Sequence, residues 1–342
     1  MTNTKQHFPV QSDQNTWSQR RCRIGLLGLL ILLAICASWS HGRAQETETA
    51  AAMQPGTAPP ISEASPRGRK SHFFSDNTVS YIYGPLYRTP FITTPSQPGV
   101  ADIIRNTIQF KHLDIWKYGS NLITVDIRKS SSAEPSAGGG AGALEAYAVF
   151  RSAFSLNRIN NTKTFAVGPL RDLAFEVGAN FGTKNSHYAP AERTLYVGPN
   201  LQFKLPRGFL DIGLHFRKEW NHQGIFGRDE SYAPNFNIEP SWSIPFRVRR
   251  LSMSFEGFAE FNTPKGKDSF GKRSRSEFLL RPQLKFDLSP IIHTESRILE
   301  AGIGLEYWHN MYGKSAAYIP GAKQLTPVFT LTIHLPHAPQ GL

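Results

Sequence analysis

Apolar residues recur at every second position along most of this chain. In one run Leu210, Ile212, Leu214 and Phe216 alternate with Asp211, Gly213, His215 and Arg217. In a second, Leu251, Met253, Phe255, Ala259 and Phe261 alternate with Ser252, Ser254, Glu256 and Glu260. A third sets Phe278, Leu280, Leu284 and Phe286 against Glu277, Arg281, Gln283, Lys285 and Asp287, and a fourth sets Phe329, Leu331, Ile333 and Leu335 against Thr330, Thr332 and His334. A helix repeats its apolar positions at three and four, so these segments are strands. Shorter runs lie at 123–128, 145–151, 172–177, 195–204, 238–243 and 300–306. With strands near 79–87 and 106–115, the pattern predicts about twelve strands of roughly ten residues each.

Two all-β architectures alternate in this way. A soluble sandwich turns its polar face to water and its apolar face to a second sheet. A transmembrane antiparallel β-barrel turns its apolar face to lipid and its polar face to a lumen. Strand length, the N-terminal segment and the lack of disulfides favour the barrel. Arg or Lys on a lipid face costs about 2–4 kcal/mol at the midplane, which places the strand-interior charges inside. A mean hydropathy of −0.33 argues against a bundle of transmembrane helices.

The connections agree. Tight ones are expected at Lys117-Tyr118-Gly119 and Pro206-Arg207-Gly208. Longer ones fall near 84–103, 129–142, 181–193, 221–235, 262–275 and 309–325, all on the outer side if the first strand rises from the periplasm. The connection near 157–170 is a longer periplasmic one that this pattern does not explain. Trp116, Tyr118, Trp220, Trp242, Phe246, Tyr307 and Trp308 sit near strand ends, as interfacial girdles do.

Before the strands, Arg20, Arg21 and Arg23 precede an apolar run over 24–37 and then Gly42-Arg43-Ala44. A basic stretch, a short apolar core and small residues at a cleavage point predict a signal peptide over 1–44, with the mature chain starting at Gln45. Ile35 has the wrong size to precede a lipidated Cys36. Cleavage removes Cys22 and Cys36, the two cysteines of the chain. Residues 45–71 read as a flexible lead-in, 72–336 as the barrel and 337–342 as a short tail. The chain has 38 basic and 26 acidic residues, of which the signal carries five and one, leaving 33 and 25. That balance of about +8 suits anionic lipid headgroups and lipopolysaccharide at the outer membrane of a Gram-negative bacterium, and not nucleic acid. The basic stretch 265–275 is expected as a solvated outer loop, and Arg247, Arg249 and Arg250 on the periplasmic rim. Gly138-Gly139-Gly140-Ala141-Gly142 lacks a following Lys, so it reads as a flexible loop and not a phosphate cradle.

Twelve strands enclose a bore between the filled eight-stranded barrels and the open sixteen-stranded ones. Inward parity assigns to it Glu145, Arg151, Asp172, Glu176, Asp211, Arg217, Glu219, Glu256, Glu260, Glu277, Arg281, Lys285, Glu300 and Glu306. A lining of both signs can hydrogen-bond a neutral polar solute, whereas an ion filter needs rings of one sign. Tyr147, Tyr196, Phe258 and Trp308 share that parity and could stack on a planar ring. His215 and Ser254 also point inward, and no nucleophile elbow or metal-spaced histidines appear, so no enzyme activity and no cofactor are expected. The alternatives are a general small-solute porin, a surface receptor or adhesin, and, further off, a lipid-modifying enzyme.

Several stretches resemble the Tsx-type nucleoside-specific channels of Gram-negative outer membranes. They are Phe74-Ser75-Asp76-Asn77-Thr78-Val79-Ser80-Tyr81-Ile82-Tyr83-Gly84, Trp116-Lys117-Tyr118-Gly119 and Lys218-Glu219-Trp220-Asn221-His222. Phe255-Glu256-Gly257-Phe258, Lys265-Gly266-Lys267-Asp268-Ser269-Phe270-Gly271 and Glu306-Tyr307-Trp308 follow in order. The resemblance implies a monomeric twelve-stranded barrel that passes nucleosides by passive diffusion and is inserted by the barrel assembly machinery. The chain departs from such barrels at its end, which reads Ile333-His334-Leu335 where they often finish on an aromatic.

Overall fold

The computed structural model describes residues 72–93, 99–268, 270–294 and 297–335. The expected signal peptide, lead-in and tail lie outside the described residues. Among the described residues, thirteen strands, one short α-helix and one 3-10 turn (Met311–Gly313) follow one another, beginning with β1 (His72–Tyr87), β2 (Ile103–Trp116), β3 (Gly119–Ser130), β4 (Leu144–Ser155), α1 (Leu156–Ile159), β5 (Leu170–Lys184) and β6 (Ala191–Phe203). Then come β7 (Phe209–Gln223), β8 (Arg228–Ser231), β9 (Asn235–Val248), β10 (Leu251–Asn262), β11 (Glu277–Asp287), β12 (Leu299–His309) and β13 (Lys323–His334).

Every pairing is antiparallel, and β1 hydrogen-bonds to β13 with Thr78 opposite His334 and Tyr83 opposite Phe329. Since β6 also pairs with β7 and β7 with β9, the sheet closes into a barrel of twelve strands. Strand β8, which the alternation did not reveal, is a four-residue extension that pairs only with the end of β7. The twelve wall strands run from 11 to 16 residues, longer than the ten expected, because several continue past the apolar band into the rim.

The alternation becomes two surfaces. Phe175, Phe181, Leu195, Phe216, Phe236, Ile303, Leu305 and Leu331 stay exposed on the outer wall, while Asp126, Arg151, Glu176, His215, Arg217, Glu219 and Glu300 are buried on the inner one. The fold thus inverts an ordinary globular core. Trp116 meets Tyr118 and Phe154 edge-on at 5.4 and 6.1 Å, forming an aromatic corner at the end with short turns. Trp242 lies against Phe255 at 5.8 Å over the bare backbone of Gly257, where a Cβ would come within 2.6 Å of the indole. Of the pair expected near the girdle, Tyr307 stays on the outer wall beside Phe278, at 6.2 Å. Trp308, one residue on, lines the lumen instead.

The connection left unexplained is a built element. Ser155 caps α1 by accepting from the Arg158 amide at 3.0 Å, and Asp172 receives the Ser155 hydroxyl. Arg158 reaches back to the carbonyls of Trp116 and Gly119, so this segment braces the neighbouring turn. Two other expectations need correction. Lys265 is not a solvated loop residue but is 6% exposed, with its ammonium 2.6 Å from Glu219. The glycine-rich loop is held at both ends, by bridges from Pro135 to Gly142 and from Ser136 to Ser186.

Candidate functional site

The inner wall encloses a cavity of about 610 Å³ that extends from Asp76 and His334 near the short turns to Phe91, Tyr188 and Lys314 among the long connections. That volume falls within the range that holds a small molecule. Three groups of side chains organise it.

The first lies where β2 to β5 meet the long connections. Glu134, from the β3–β4 connection, is 1% exposed and pairs with Lys184 at 2.7 Å and Arg105 at 3.3 Å. Ser130 and Thr89 also donate to it. Burial alone would raise its pKa; the Lys184 ammonium and the Arg105 guanidinium overcome that and hold the carboxyl at about 2. Glu145 joins this group through Arg128 at 2.6 Å and Lys184 at 3.1 Å.

The second group crosses the bore. Arg151 of β4 reaches Glu239 of β9 at 2.9 Å, although the two strands are not neighbours, and lies 3.8 Å from Glu176. Its guanidinium stands 4.1 Å over the ring of Tyr196, whose hydroxyl accepts from Asn180 and Arg217. Arg217 pairs with Glu219, which also holds Lys265. Tyr147 accepts from Asn180 at 2.9 Å and carries Arg128 over its face at 4.7 Å. The large residues of β4 fit because their partners on β5 are glycines. A Cβ on Gly178 would sit 2.7 Å from Arg151, and one on Gly182 would sit 2.7 Å from Tyr147.

The third group lines the closing strands. Lys285 lies between Glu256 at 3.0 Å and Glu300 at 3.7 Å, and Arg281 lies 3.7 Å from Glu306. Glu277 accepts from the Trp308 indole at 2.8 Å and from the Tyr312 amide at 2.8 Å. Phe258 lines the same cavity as Leu113, Leu122, Val149 and Leu279, apolar side chains set among the polar ones of the bore.

All twelve residues selected from sequence, Glu145, Tyr147, Arg151, Tyr196, Arg217, Glu219, Glu256, Phe258, Glu277, Arg281, Glu306 and Trp308, line this one cavity. They do not share one environment. Tyr196 is 3% exposed under Arg151, so its ring has no open face for a solute. Tyr147, Phe258 and Trp308 stay partly accessible. Sequence reading missed Glu134, Lys184, Glu239 and Lys265. Parity on a longer β5 would have found Lys184; no local pattern marks Lys265 or Glu134, which enter from connections. Lys111 and Glu260 face the cavity and pair with no other charge within 4 Å among the described residues. His215 binds Asn237 and Glu176, at 2.9 and 3.2 Å, and Ser254 donates to Glu256, so these two do not pair with each other.

No protein-family model matches the sequence, and no curated protein sequence matches it. Among solved structures the chain is similar to the NanC porin, with a TM-score of 0.39 and 9% identity over 75% of this chain and 100% of that one. It is also similar to the β domain of the Bordetella autotransporter Brka, with a TM-score of 0.34 and 8% identity over 76% and 98% of the two chains. For Pseudomonas aeruginosa OccK11 (OpdR) the values are 0.25 and 10% over 77% and 96%.

Proposed function

We propose that the protein is an outer-membrane channel through which nucleosides diffuse passively. The observation that carries this reading is a closed wall, apolar outside, around a cavity lined by both charges and by accessible aromatic rings. Hydrocarbon satisfies such an outer surface, and closure leaves no unpaired strand edge in it. Inside, Lys111, Glu260, Gln283 and Thr330 offer donors and acceptors to ribose and base edges, while Trp308, Tyr147 and Phe258 offer ring faces. The order of motifs shared with the Tsx-type channels supports the same solute. Basic residues of the rims, among them Arg247, Arg249 and Arg250, suit phospholipid and lipopolysaccharide phosphates.

A general small-solute pore is the second reading, and the burial of Tyr196 favours it by removing one stacking surface. Liposomes carrying the purified protein decide between them. Adenosine and thymidine should pass faster than a sugar of similar size, and Tyr147→Ala or Trp308→Ala should reduce that preference by about fivefold or more, the lower end of the weight of one stacked base. Ion conductance should stay largely intact in both variants. Equal permeation of nucleoside and sugar would establish the general pore, and closed liposomes would point to a receptor or an enzyme.

A further inference from the structure

The long connections do not stand away from the barrel mouth. In strand order, the β1–β2, β5–β6 and β10–β11 connections are spaced four strands apart, one third of the circumference each. Each supplies one aromatic residue: Phe91, Tyr188 and Phe270. The ring of Phe91 lies 6.1 Å from Tyr188 and 6.4 Å from Phe270. Rings that start a third of a circumference apart can touch only by leaning toward the axis of the bore.

Further contacts hold them there. Phe226 of the β7–β8 connection backs Phe270 at 5.3 Å. Lys314, between β12 and β13, stands 5.8 Å from the Phe91 ring and 5.3 Å from the Phe270 ring, with its ammonium 2.5 Å from Asp268. Phe91 itself adopts a φ of 70°, a backbone region that bulky residues avoid, and its amide donates to Pro320 at 2.9 Å. Phe91, Tyr188, Phe270 and Lys314 all face the cavity below.

We propose that Phe91, Tyr188 and Phe270 form an aromatic gate across the outer mouth, and that it admits flat aromatic solutes more readily than saturated ones. This rests on reading the barrel as a pore. A solute can pass only by parting the three rings. A flat aromatic ring replaces the face and edge contacts that it breaks, and a polyol does not. The gate thus sorts solutes by shape before they meet the charges of the bore.

The test uses the full chain with Cys22 and Cys36 changed to Ser. In planar bilayers, the Phe91→Cys/Phe270→Cys and Phe91→Cys/Tyr188→Cys pairs, bridged by a short bifunctional methanethiosulfonate, should lose most of their conductance and regain it on reduction. The Phe91→Ala/Phe270→Ala variant should conduct about two- to tenfold more, the factor expected from losing such ring contacts. In liposomes, the permeation ratio of nicotinamide to erythritol should fall toward one in that variant. Phe91→Leu, which keeps apolar bulk without a ring, should lower the ratio while heat-modifiable gel mobility shows a folded barrel. Bridged pairs that conduct as well as unbridged ones would overturn the gate. An unchanged ratio in the folded variants would overturn the sorting. Silence in every variant, with the rings truncated, would overturn the pore reading and the gate together.

Discussion

Glu134 shows how one carboxylate can fix a mouth. It receives Thr89 from one connection and Ser130 from the end of β3, and it pairs with Arg105 on β2 and Lys184 on β5. Glu134→Ala would leave two buried cations facing each other, so barrel stability should fall by about 3 kcal/mol, read as an earlier urea midpoint. Glu134→Gln should cost less because it still accepts from both hydroxyls. The pH dependence follows from the depressed pKa: 4.5 is the ordinary value and about 2 the folded one. The stabilisation is therefore complete above about pH 4.5 and disappears as pH falls through about 2. Wild-type and Glu134→Gln barrels should differ in midpoint at pH 7 and converge under strong acid; a constant difference would show that the charge does not matter. Tyr196 is the contrasting residue. It has the composition of a recognition residue and the surroundings of a scaffold, clamped by Arg151, Arg217 and Asn180.

A strand of this wall has two faces with opposite tolerances, and β12 displays both. Leu305 is 47% exposed on the outer wall, whereas its neighbour Glu306 accepts from Gln324 inside and is 8% exposed. Leu305→Arg should impair assembly, with a penalty of about 2–4 kcal/mol if it lies near the bilayer midplane. Glu306→Gln should assemble normally. Heat-modifiable migration on semi-native gels reads both, and the opposite result would reverse the facing. Such facings were legible from alternation alone: Leu210 to Phe216 and Phe278 to Phe286 each show their outer side in sequence. What alternation cannot carry is the identity of partners beyond the adjacent strand. Arg151 meets Glu239 across the bore, and Lys265 meets Glu219 from a connection, because barrel closure brings these together, not local spacing. The inward facing of Leu113, Leu122 and Val149 was hidden for another reason. Inward leucines beside outward isoleucines, as at Leu122-Ile123, blur the period of two. Strand β8 is too short to have a period.

At the scale of the whole molecule, charge is sorted by place. The chain as a whole is basic by twelve, yet the cavity lining holds 14 carboxylates and 11 Lys or Arg among the described residues. A bore slightly richer in acid than in base should prefer cations weakly. A reversal potential measured across a KCl gradient should carry the sign of a potassium preference, shrink at high salt as screening grows, and reverse if Glu260→Lys and Glu256→Lys are combined. An anion preference in the wild type would mean that the basic rims, and not the bore, set selectivity.

Closure also governs how such a wall is made. Eleven of the wall's contacts join strands that follow one another closely in the chain, and each can form as its hairpin forms. The twelfth, β1 with β13, joins residues 246 to 256 positions apart, clasped by Ser80 with Thr332 and by His334 with Asp76. The entropy of drawing distant ends together grows only logarithmically with separation, but here it falls on one final step. Until that step, both terminal strands present bare backbone edges. Construction is therefore all-or-none: a chain stopped short of β13 makes no smaller channel, and it leaves two adhesive edges for chaperones to shield or proteases to remove.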